Sequence, residues 1–288
     1  MVLAAWPMVV AARGHLVGRE RETEVVAAAL AAGRNLLLEG PPGTGKTTML
    51  RALAGGAGVG LVLVEGNAEL TPARLVGHHD PSRVLTEDYR PDNFVLGPLC
   101  RAMTEGALLY VEELNRVPEE TLNVLLGVLS EREIHIPRYG VVPAASSFRL
   151  IAAMNPYDAV GTARITPALY DRSCRVALGY QDEEVERAIV ARVTAGPDDL
   201  VHRAVRAVRL TRTHRDLRIG SSVRGAIDTV LVAAELAAVR AEAEPSEATG
   251  LDAARTALSG KVTVQEGCPR SVDEIIEEIW GQAKPGKR

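Results

Sequence analysis

Nine residues from Gly40 to Thr48, GPPGTGKTT, combine three glycines, one lysine and three threonines. Glycines leave backbone N–H groups open to an approaching anion, because no side chain covers them. The spacing Gly40-x4-Gly45-Lys46-Thr47 is that of a P-loop, in which the lysine contacts the β- and γ-phosphates and the hydroxyl binds Mg²⁺. The alternative is a glycine-rich turn without a ligand. The spacing favours a nucleotide site.

The residues on either side of this loop predict how it is positioned. NLLLE at residues 35–39 predicts a short buried strand, and MLRALA at residues 49–54 predicts a helix. The N-terminus of a helix carries a partial positive charge that attracts anions. The residues predicted to bind the nucleotide in this loop are Pro42, Gly43, Thr44, Gly45, Lys46, Thr47 and Thr48, and Thr47 is also a predicted Mg²⁺ ligand.

Two adjacent carboxylates, Glu112 and Glu113, follow the apolar run ALLYV at residues 107–111. Such a run predicts a strand buried on both faces of a sheet, and ligands of open α/β sheets bind at the carboxyl ends of strands. We predict that Glu112 supports Mg²⁺ and that Glu113 polarises the water that attacks the γ-phosphate. The alternative is a buried strand that emerges into solvent with two surface glutamates at its end.

Three further segments extend this pattern. PEETLNVLLGVLS at residues 118–130 begins with a proline and two acids and places leucines on one face, as helices do. REIHIPRYGVV at residues 132–142 alternates like a β-hairpin. FRLIAAM at residues 148–154 predicts another buried strand, which ends at Asn155. The Asn155 amide would reach the γ-phosphate or the attacking water, and the alternative is an Asx turn before proline.

Composition narrows the classes of function. Apolar residues make up 47% of the 288 residues, and the formal net charge is -4. An acidic balance gives no general attraction to a phosphate backbone, which disfavours a nucleic-acid role but leaves a local basic patch open. Three distant cysteines suit a reducing compartment. The apolar start lacks a preceding positive charge, so we predict a cytoplasmic protein whose first residues pack on the first domain or fray.

Together these motifs resemble those of the AAA+ ATPases and, within them, the MoxR family, over residues 15–280. GPPGTGKT is similar to the family's Walker A motif, YVEELNR at residues 110–116 to its Walker B motif, and IAAMNP at residues 151–156 to its sensor-1 strand. ELTPARLVG at residues 69–77 and the predicted hairpin are also similar to MoxR features. The family usually has Asp where this chain has Glu112, so the metal shell is expected to be weaker or shifted.

The resemblance also implies roles for residues outside the loop. LVGRE at residues 16–20 is similar to the segment that packs near the adenine, which implies that Val17 and Gly18 bind the nucleotide. Asn155 would be the sensor-1 residue. The implied cofactors are ATP and Mg²⁺, and the implied activity is ATP hydrolysis.

Two arginine-containing segments complete the resemblance. TPALYDR at residues 166–172 is similar to the arginine-finger segment, which makes Arg172 the first candidate for the finger and Arg175 the second. GSSVRGAI at residues 220–227 is similar to the sensor-2 helix, which implies that Arg224 points at the γ-phosphate. The alternatives are a local ion pair with Asp171 for Arg172 and a solvated surface charge for Arg224.

The resemblance implies an α/β fold with two domains. We expect a five-stranded parallel sheet flanked by helices in residues 1–178, followed by a small all-α lid in residues 179–288. The lid helices are predicted at residues 182–193, 200–210, 221–243 and 272–280. The segment AEAEPSEATG at residues 241–250 is predicted to interrupt them as a linker, and the tail from residue 281 is predicted to be mobile.

A finger arginine is often supplied by a neighbouring subunit, so a homo-oligomeric ring, expected to be a hexamer, is implied. MoxR proteins resemble chaperones that mature partner complexes together with a von Willebrand factor A domain protein. The resemblance therefore implies such a partner for this chain. The sequence does not identify the client protein. Two other functions stay open. One is a nucleotide-gated scaffold with negligible hydrolysis, and the other is a motor that acts on nucleic acid.

Overall fold

The structure is a computed structural model that describes residues 3–156 and 166–284. The chain divides into two units, one formed by Met1–Pro41 with Gly45–Gly179 and the other by Pro42–Thr44 with Tyr180–Arg288. The domain boundary after residue 178 and the role of the second part as a lid stay predictions.

The helices in the described part of the chain are numbered in chain order: α1 Ala5–His15, α2 Glu20–Ala31, α3 Lys46–Ala57, α4 Pro72–Val76, α5 Pro81–Glu87, α6 Pro98–Glu105, α7 Glu119–Glu131, α8 Pro167–Asp171, α9 Glu183–Thr194, α10 Asp198–Thr211, α11 Val223–Val239, α12 Glu247–Leu258 and α13 Val272–Gln282. The strands are numbered in the same way: β1 Asn35–Glu39, β2 Leu61–Glu65, β3 Gly77–His79, β4 Phe94–Leu96, β5 Leu108–Glu112, β6 Glu133–Ile136, β7 Gly140–Pro143, β8 Arg149–Met154, β9 Ser173–Ala177, β10 Leu217–Ile219 and β11 Thr263–Val264.

A five-stranded sheet in the order β2-β5-β8-β1-β9 organises the first unit, and each neighbouring pair in it is parallel. This confirms the predicted fold class. The three strands predicted from apolar runs, β1, β5 and β8, occupy the middle of the sheet. Because the strands are parallel, their carboxyl ends meet at one edge, where the glycine-rich loop follows β1 and Glu112 ends β5.

The sheet is buried on both faces, since successive side chains of a strand point to opposite sides. Leu37, Leu109 and Leu150 face one apolar core, which includes the buried residues of α6 and α7. Their neighbours Leu36, Leu108 and Ile151 face a second core, which includes those of α1, α2 and α3. This arrangement explains why these strands read as continuous apolar runs instead of alternating with polar residues.

The first helix packs on the first unit, which confirms one of the two predicted alternatives for the start of the chain. Met8, Val9 and Ala12 of α1 are buried. At Gly56 of α3, an added Cβ would lie 2.7 Å from the Ala11 Cβ, so the two helices approach closely. Within residues 3–156 and 166–284, no helix combines the length and apolar character needed to cross a membrane.

Two antiparallel strand pairs accompany the sheet. β6 and β7 pair with Ile136 opposite Gly140, which confirms the hairpin predicted from the alternating residues. β3 and β4 form a second antiparallel pair, which was not predicted, and α5 lies in the connection between them. Both strands of that second pair are three residues long, so they contain too few residues for a period of two to be visible.

Helices dominate the second unit, as predicted, but the strands β10 and β11 and the helix α12 were not predicted. β10 and β11 form a short antiparallel pair, so the unit is not entirely α-helical. The predicted linker ends in the first turn of α12, which Ser246 caps by accepting from the Thr249 N–H. An added Cβ at Gly250, the last residue of the predicted linker, would lie 2.8 Å from the Trp280 ring. Close packing therefore accounts for this glycine.

The end of the chain also differs from the prediction. α13 continues through Gln282, into the segment predicted to be a mobile tail. Its buried residues Ile275, Ile276, Ile279 and Trp280 join the core of the second unit. The last part of the predicted tail, residues 285–288, lies outside the described residues.

Candidate functional site

The glycine-rich loop lies between the carboxyl end of β1 and the N-terminus of α3, as predicted. Gly43 has φ +75° and Gly45 has φ +85°, both in the left-handed region that side chains rarely adopt. An added Cβ at Gly45 would meet no atom within 4 Å, so the space beside this glycine is open. The backbone is therefore shaped for the approach of an anion, which fits a phosphate-binding loop.

Lys46 is the first residue of α3 and is largely buried. Its Nζ donates hydrogen bonds to the carbonyl oxygens of Gly40, at 2.9 Å, and Pro41, at 3.0 Å. The ammonium group is thus held over the loop by the loop's own backbone. It is positioned as a cation beside the residues predicted to surround the phosphates.

Thr47 and Glu112, the two predicted metal ligands, are brought together by different elements. Thr47 follows Lys46 on α3, and Glu112 is the last residue of β5. The Thr47 Oγ1 lies 3.5 Å from the Glu112 Oε1, and the Tyr110 hydroxyl donates to the same oxygen at 3.3 Å. A hydroxyl and a carboxylate are oxygen ligands of the kind Mg²⁺ prefers, and Mg²⁺ is usually held by few protein groups with water and phosphate completing its shell.

Among the described residues, no group of three or more His, Cys, Asp or Glu side chains could hold a metal ion. The pair formed by Thr47 and Glu112 fits Mg²⁺ whose shell is completed by water and the phosphates of a nucleotide.

Glu113 occupies an unusual backbone conformation beside Glu112. Its φ and ψ are 50° and 44°, in the left-handed region, and non-glycine residues held there are concentrated at functional sites. Its carboxylate pairs with the Arg116 Nε at 2.8 Å, and both side chains are partly exposed. The contact of Arg116 could not be predicted from the sequence, and in the structure it is this carboxylate.

Gly66, which follows β2, allows the backbone of Glu112 and Glu113 to lie close to the end of that strand. Its N–H donates to the Glu112 carbonyl at 2.8 Å. An added Cβ at Gly66 would lie 2.5 Å from the Glu113 carbonyl oxygen and 2.6 Å from that of Glu112. A side chain at this position would displace the backbone that carries both carboxylates.

Asn155 follows β8 directly and is partly buried. β8 lies between β5 and β1 in the sheet, and the Gly40 N–H donates to the Met154 carbonyl at 3.1 Å. The structure therefore places Asn155 at the same sheet edge as the loop and Glu112.

The LVGRE segment connects α1 and α2, with Gly18 at φ +70° and Arg19 at φ 69°. Val17 and Gly18, the predicted adenine contacts, lie in this connection. Arg19, which was not predicted to have a role, is largely buried, pairs with Glu22 at 2.8 Å and donates to the Gly179 carbonyl. The sequence feature that could have identified Arg19 is its position directly after Gly18 in the LVGRE segment.

The two candidate finger arginines have different surroundings. Arg172 donates to the Ser130 Oγ at 2.7 Å and to the Ala168 carbonyl at 3.1 Å, and its nearest Asp171 oxygen is 3.9 Å away. Arg175 donates from both Nε and Nη2 to the Glu39 Oε2 at 2.6 Å. Arg175 is thus committed to a carboxylate of its own chain.

Glu39 is a residue that the sequence analysis overlooked. It is only 5% exposed, and it also accepts a hydrogen bond from the Tyr170 hydroxyl at 3.0 Å. Burial, with the Glu39 bond as a second cause, raises the pKa of Tyr170, and the Glu39 hydrogen bond raises the pKa of Arg175. The sequence feature that could have identified Glu39 is its position as a charged residue at the end of an apolar run.

Arg224, the predicted sensor-2 residue, belongs to the second unit. It is the second residue of α11 and is exposed. Ser222 precedes the helix at its N-cap position. The role of Arg224 at a nucleotide stays a prediction.

Comparisons with known proteins identify a matching family and relatives that are similar to part of this chain. Residues 35–173 match the family described as AAA domain (dynein-related subfamily). An uncharacterised protein of Staphylococcus haemolyticus is 31% identical over 172 residues, which cover 58% of this chain and 64% of that protein. One from Staphylococcus aureus is 33% identical over 168 residues, which cover 58% and 63%. The chain thus spans less than two thirds of these relatives.

Solved structures show the same fold at low sequence identity. A candidate ATPase from Cytophaga hutchinsonii superposes with a TM-score of 0.53 at 20% identity, over 94% of this chain and 92% of that chain. The RuvB Holliday junction branch migration motor of Thermotoga maritima has a TM-score of 0.55 at 17% identity, over 83% and 70%. The chain therefore has the AAA fold, and its residues 35–173 match the dynein-related AAA domain.

Proposed function

We propose that this protein hydrolyses ATP in the presence of Mg²⁺ and uses the energy to remodel a partner protein. The observation that carries the proposal is the approach of the Thr47 hydroxyl to within 3.5 Å of the Glu112 carboxylate. A P-loop hydroxyl and a strand-end carboxylate that converge in this way supply the two protein oxygens expected around a nucleotide-bound metal.

In this proposal each residue of the sheet edge has one task. Lys46 and the loop N–H groups bind the phosphates, while Thr47 and Glu112 would hold Mg²⁺, which neutralises phosphate charge when bound. Glu113 orients and polarises the attacking water, and rotation away from Arg116 would free its carboxylate for that task. Asn155 contributes an amide to the same water or to the γ-phosphate.

The assembly and the partner are further parts of the proposal. The similarity to MoxR motifs and the finger role of Arg172 support a homo-oligomeric ring, expected to be a hexamer, with Arg172 acting on the neighbouring subunit's nucleotide. Arg224 would contact the γ-phosphate from the second unit. The same similarity supports a von Willebrand factor A domain protein as partner, and a cytoplasmic location stays a prediction.

Phosphate release measured with purified protein, ATP and Mg²⁺ tests the proposal. We expect turnover that disappears without Mg²⁺ and in Lys46→Ala, because that variant loses the cation beside the phosphates. Lys261→Ala is the matched control, since Lys261 pairs with Asp228 in the second unit and has no proposed role.

Calorimetry with ATP separates the possible outcomes. ATP binding without measurable turnover would favour the nucleotide-gated scaffold, and the absence of binding would refute the nucleotide site. Turnover that rises only when DNA or RNA is added would favour a nucleic-acid motor.

A further inference from the structure

Glu39 occupies a position that links two parts of the candidate site. It is the last residue of β1 and directly precedes Gly40, the first residue of the glycine-rich loop. Both oxygens of its buried carboxylate are used. Oε1 accepts from the Tyr170 hydroxyl at 3.0 Å, and Oε2 accepts from the Arg175 Nε at 2.6 Å.

Tyr170 and Arg175 lie on either side of Arg172, the proposed finger. Tyr170 belongs to α8, Arg175 belongs to β9, and Arg172 lies in the connection between them. One carboxylate therefore holds the residues that flank the finger on both sides. The Arg172 guanidinium itself contacts other groups, the Ser130 hydroxyl and the Ala168 carbonyl.

Close backbone contacts connect the start of the glycine-rich loop to the residue that follows β9. The Leu178 N–H donates to the Glu39 carbonyl at 2.7 Å. An added Cβ at Gly40 would lie 2.1 Å from the Leu178 carbonyl oxygen, so the start of the loop is in close contact with the chain after β9. A displacement of the loop is therefore expected to move Glu39 and the groups that it holds.

We infer that Glu39 is a positioning residue that couples the nucleotide loop of one subunit to the orientation of that subunit's Arg172. This inference rests on the proposed function, in which Arg172 acts on the nucleotide of a neighbouring subunit. A subunit would then signal the state of its own loop to its neighbour through Glu39, Tyr170 and Arg175. Glu39 itself touches no reacting atom in this scheme.

Glu39→Gln is the first test, because the amide has nearly the same size and loses the charge that faces Arg175. A hydrogen bond to a charged group contributes about 1.5–3 kcal/mol, which corresponds to a decrease in kcat of about 10- to 160-fold if it is lost at the finger. ATP affinity and KM are expected to stay within about twofold, since Lys46 and Thr47 are unchanged. Glu24→Gln, an exposed carboxylate on α2, is the matched control.

Mixed rings decide where the defect of Glu39→Gln acts. Glu113→Gln subunits bind ATP without hydrolysing it and keep an intact finger, so they should restore activity to Glu39→Gln subunits. Arg172→Ala subunits bind nucleotide but lack a finger, so they should restore much less. The mixtures are to be measured under conditions in which sedimentation shows mixed rings.

The opposite pattern, with recovery in the Arg172→Ala mixture only, would overturn the inference, because the defect would then lie in the variant's own nucleotide site. A wild-type protein without turnover would refute the proposed function as well. If wild-type protein turns over and Glu39→Gln has unchanged kcat, only the coupling role of Glu39 is refuted.

Tyr170→Phe keeps the test valid if Glu39→Gln folds poorly. This change removes one hydroxyl and leaves the packing of the ring in place. We expect a smaller decrease in kcat with the same pattern of recovery in mixed rings. A purely structural role of the cluster would lower the melting temperature without producing the asymmetry between the two mixtures, and that result would overturn the inference.

Discussion

The sheet edge around Lys46 and Glu112 and the core of the second unit use charge in different ways. In the second unit, Glu186 is 2% exposed and accepts from Arg212 at 2.8 Å and from Arg209 at 3.1 Å. Arg212 also stacks on Tyr180, with its Cζ 3.8 Å from the ring centroid. These charges neutralise one another between helices. In the first unit, Lys46 is buried over backbone carbonyls of the loop and Glu112 accepts from hydroxyl groups.

This difference separates charges that stabilise a fold from charges that are kept ready for a ligand. A carboxylate bound by two arginines has little capacity left for another partner, while a carboxylate beside two hydroxyls can still accept a metal ion. We therefore expect substitutions at the sheet edge to alter chemistry more than stability, and substitutions in the helical unit to do the reverse.

The largest effect is expected for Arg172→Ala. Finger arginines contribute about 10³–10⁵ in rate in related P-loop enzymes, or about 4–7 kcal/mol. Turnover should fall by a factor of this order while ATP affinity, measured by calorimetry, stays nearly unchanged. Arg175→Ala is the comparison variant. A larger loss of turnover in Arg175→Ala, with recovery in mixed rings, would make Arg175 the finger.

Glu113→Gln should also stop turnover while preserving ATP binding. An amide of the same size polarises water far less than a carboxylate, and general-base catalysis contributes about 10²–10⁴ in rate, or about 3–5 kcal/mol. Single-turnover phosphate release measures the effect. Glu112→Gln is the control, and if it abolished turnover while Glu113→Gln spared it, the two roles would be reversed.

Glu186→Ala tests whether buried charge stabilises the second unit. It leaves two arginines without their shared partner, and breaking a buried ion pair in this way costs about 3 kcal/mol or more. Fluorescence of Trp280, which is buried in the second unit, reports the unfolding. Exposed Trp6 is to be replaced by Phe so that its emission does not interfere.

Glu183→Ala provides the matched control on the same helix. Glu183 is 41% exposed and lies 3.6 Å from the Arg209 Nε, so its pair should contribute less than about 1 kcal/mol. Equal losses of stability in the two variants would show that burial does not decide the role of these charges.

The sheet and the loop could be predicted from the sequence because each has a strong local pattern. β1, β5 and β8 are continuous apolar runs, and the glycines and lysine of the loop stand at fixed spacing. Lys46, Thr47 and Glu112 could be placed at one edge, since parallel strands align their carboxyl ends. Their convergence then followed from the topology.

Other features depend on residues distant in the sequence and could not be predicted. Glu39 contacts Arg175 across 136 positions, and Arg172 contacts Ser130 across 42. The first turn of α12 was predicted to be part of a linker, whereas its Gly250 packs on the distant Trp280. Pairings of this kind are set by tertiary packing and leave no local periodicity.

A smaller effect is expected at alkaline pH in the first unit. Burial raises the pKa of the Cys100 thiol from 9.0 to about 11. The neutral thiol is favoured in the folded state, so the corresponding stability is complete below pH 9 and is lost as the pH rises to about 11. Two pKa units correspond to at most about 2.7 kcal/mol.

Urea unfolding of wild type and Cys100→Ala, followed by circular dichroism at pH 8 and pH 10.5, measures this contribution. Cys100→Ala creates a small cavity and is less stable at both pH values, but its stability should decline less between them. Cys174→Ala removes an exposed thiol and should decline like wild type. Parallel decline in all three proteins would contradict the role of Cys100.

The smallest effect is expected at acid pH in the second unit. Arg203 binds both oxygens of Glu247 at 2.6 Å and stacks on Trp280, and this pairing lowers the pKa of Glu247. The stabilisation is therefore present above pH 4.5 and is lost as the pH falls through the lowered pKa. Because Glu247 is 56% exposed, solvent screening limits it to below about 1 kcal/mol. Glu247→Gln should lower the stability reported by Trp280 at pH 7, and its difference from wild type should shrink as the pH falls below 4.5, whereas a constant difference would assign the effect to packing of Arg203 on Trp280.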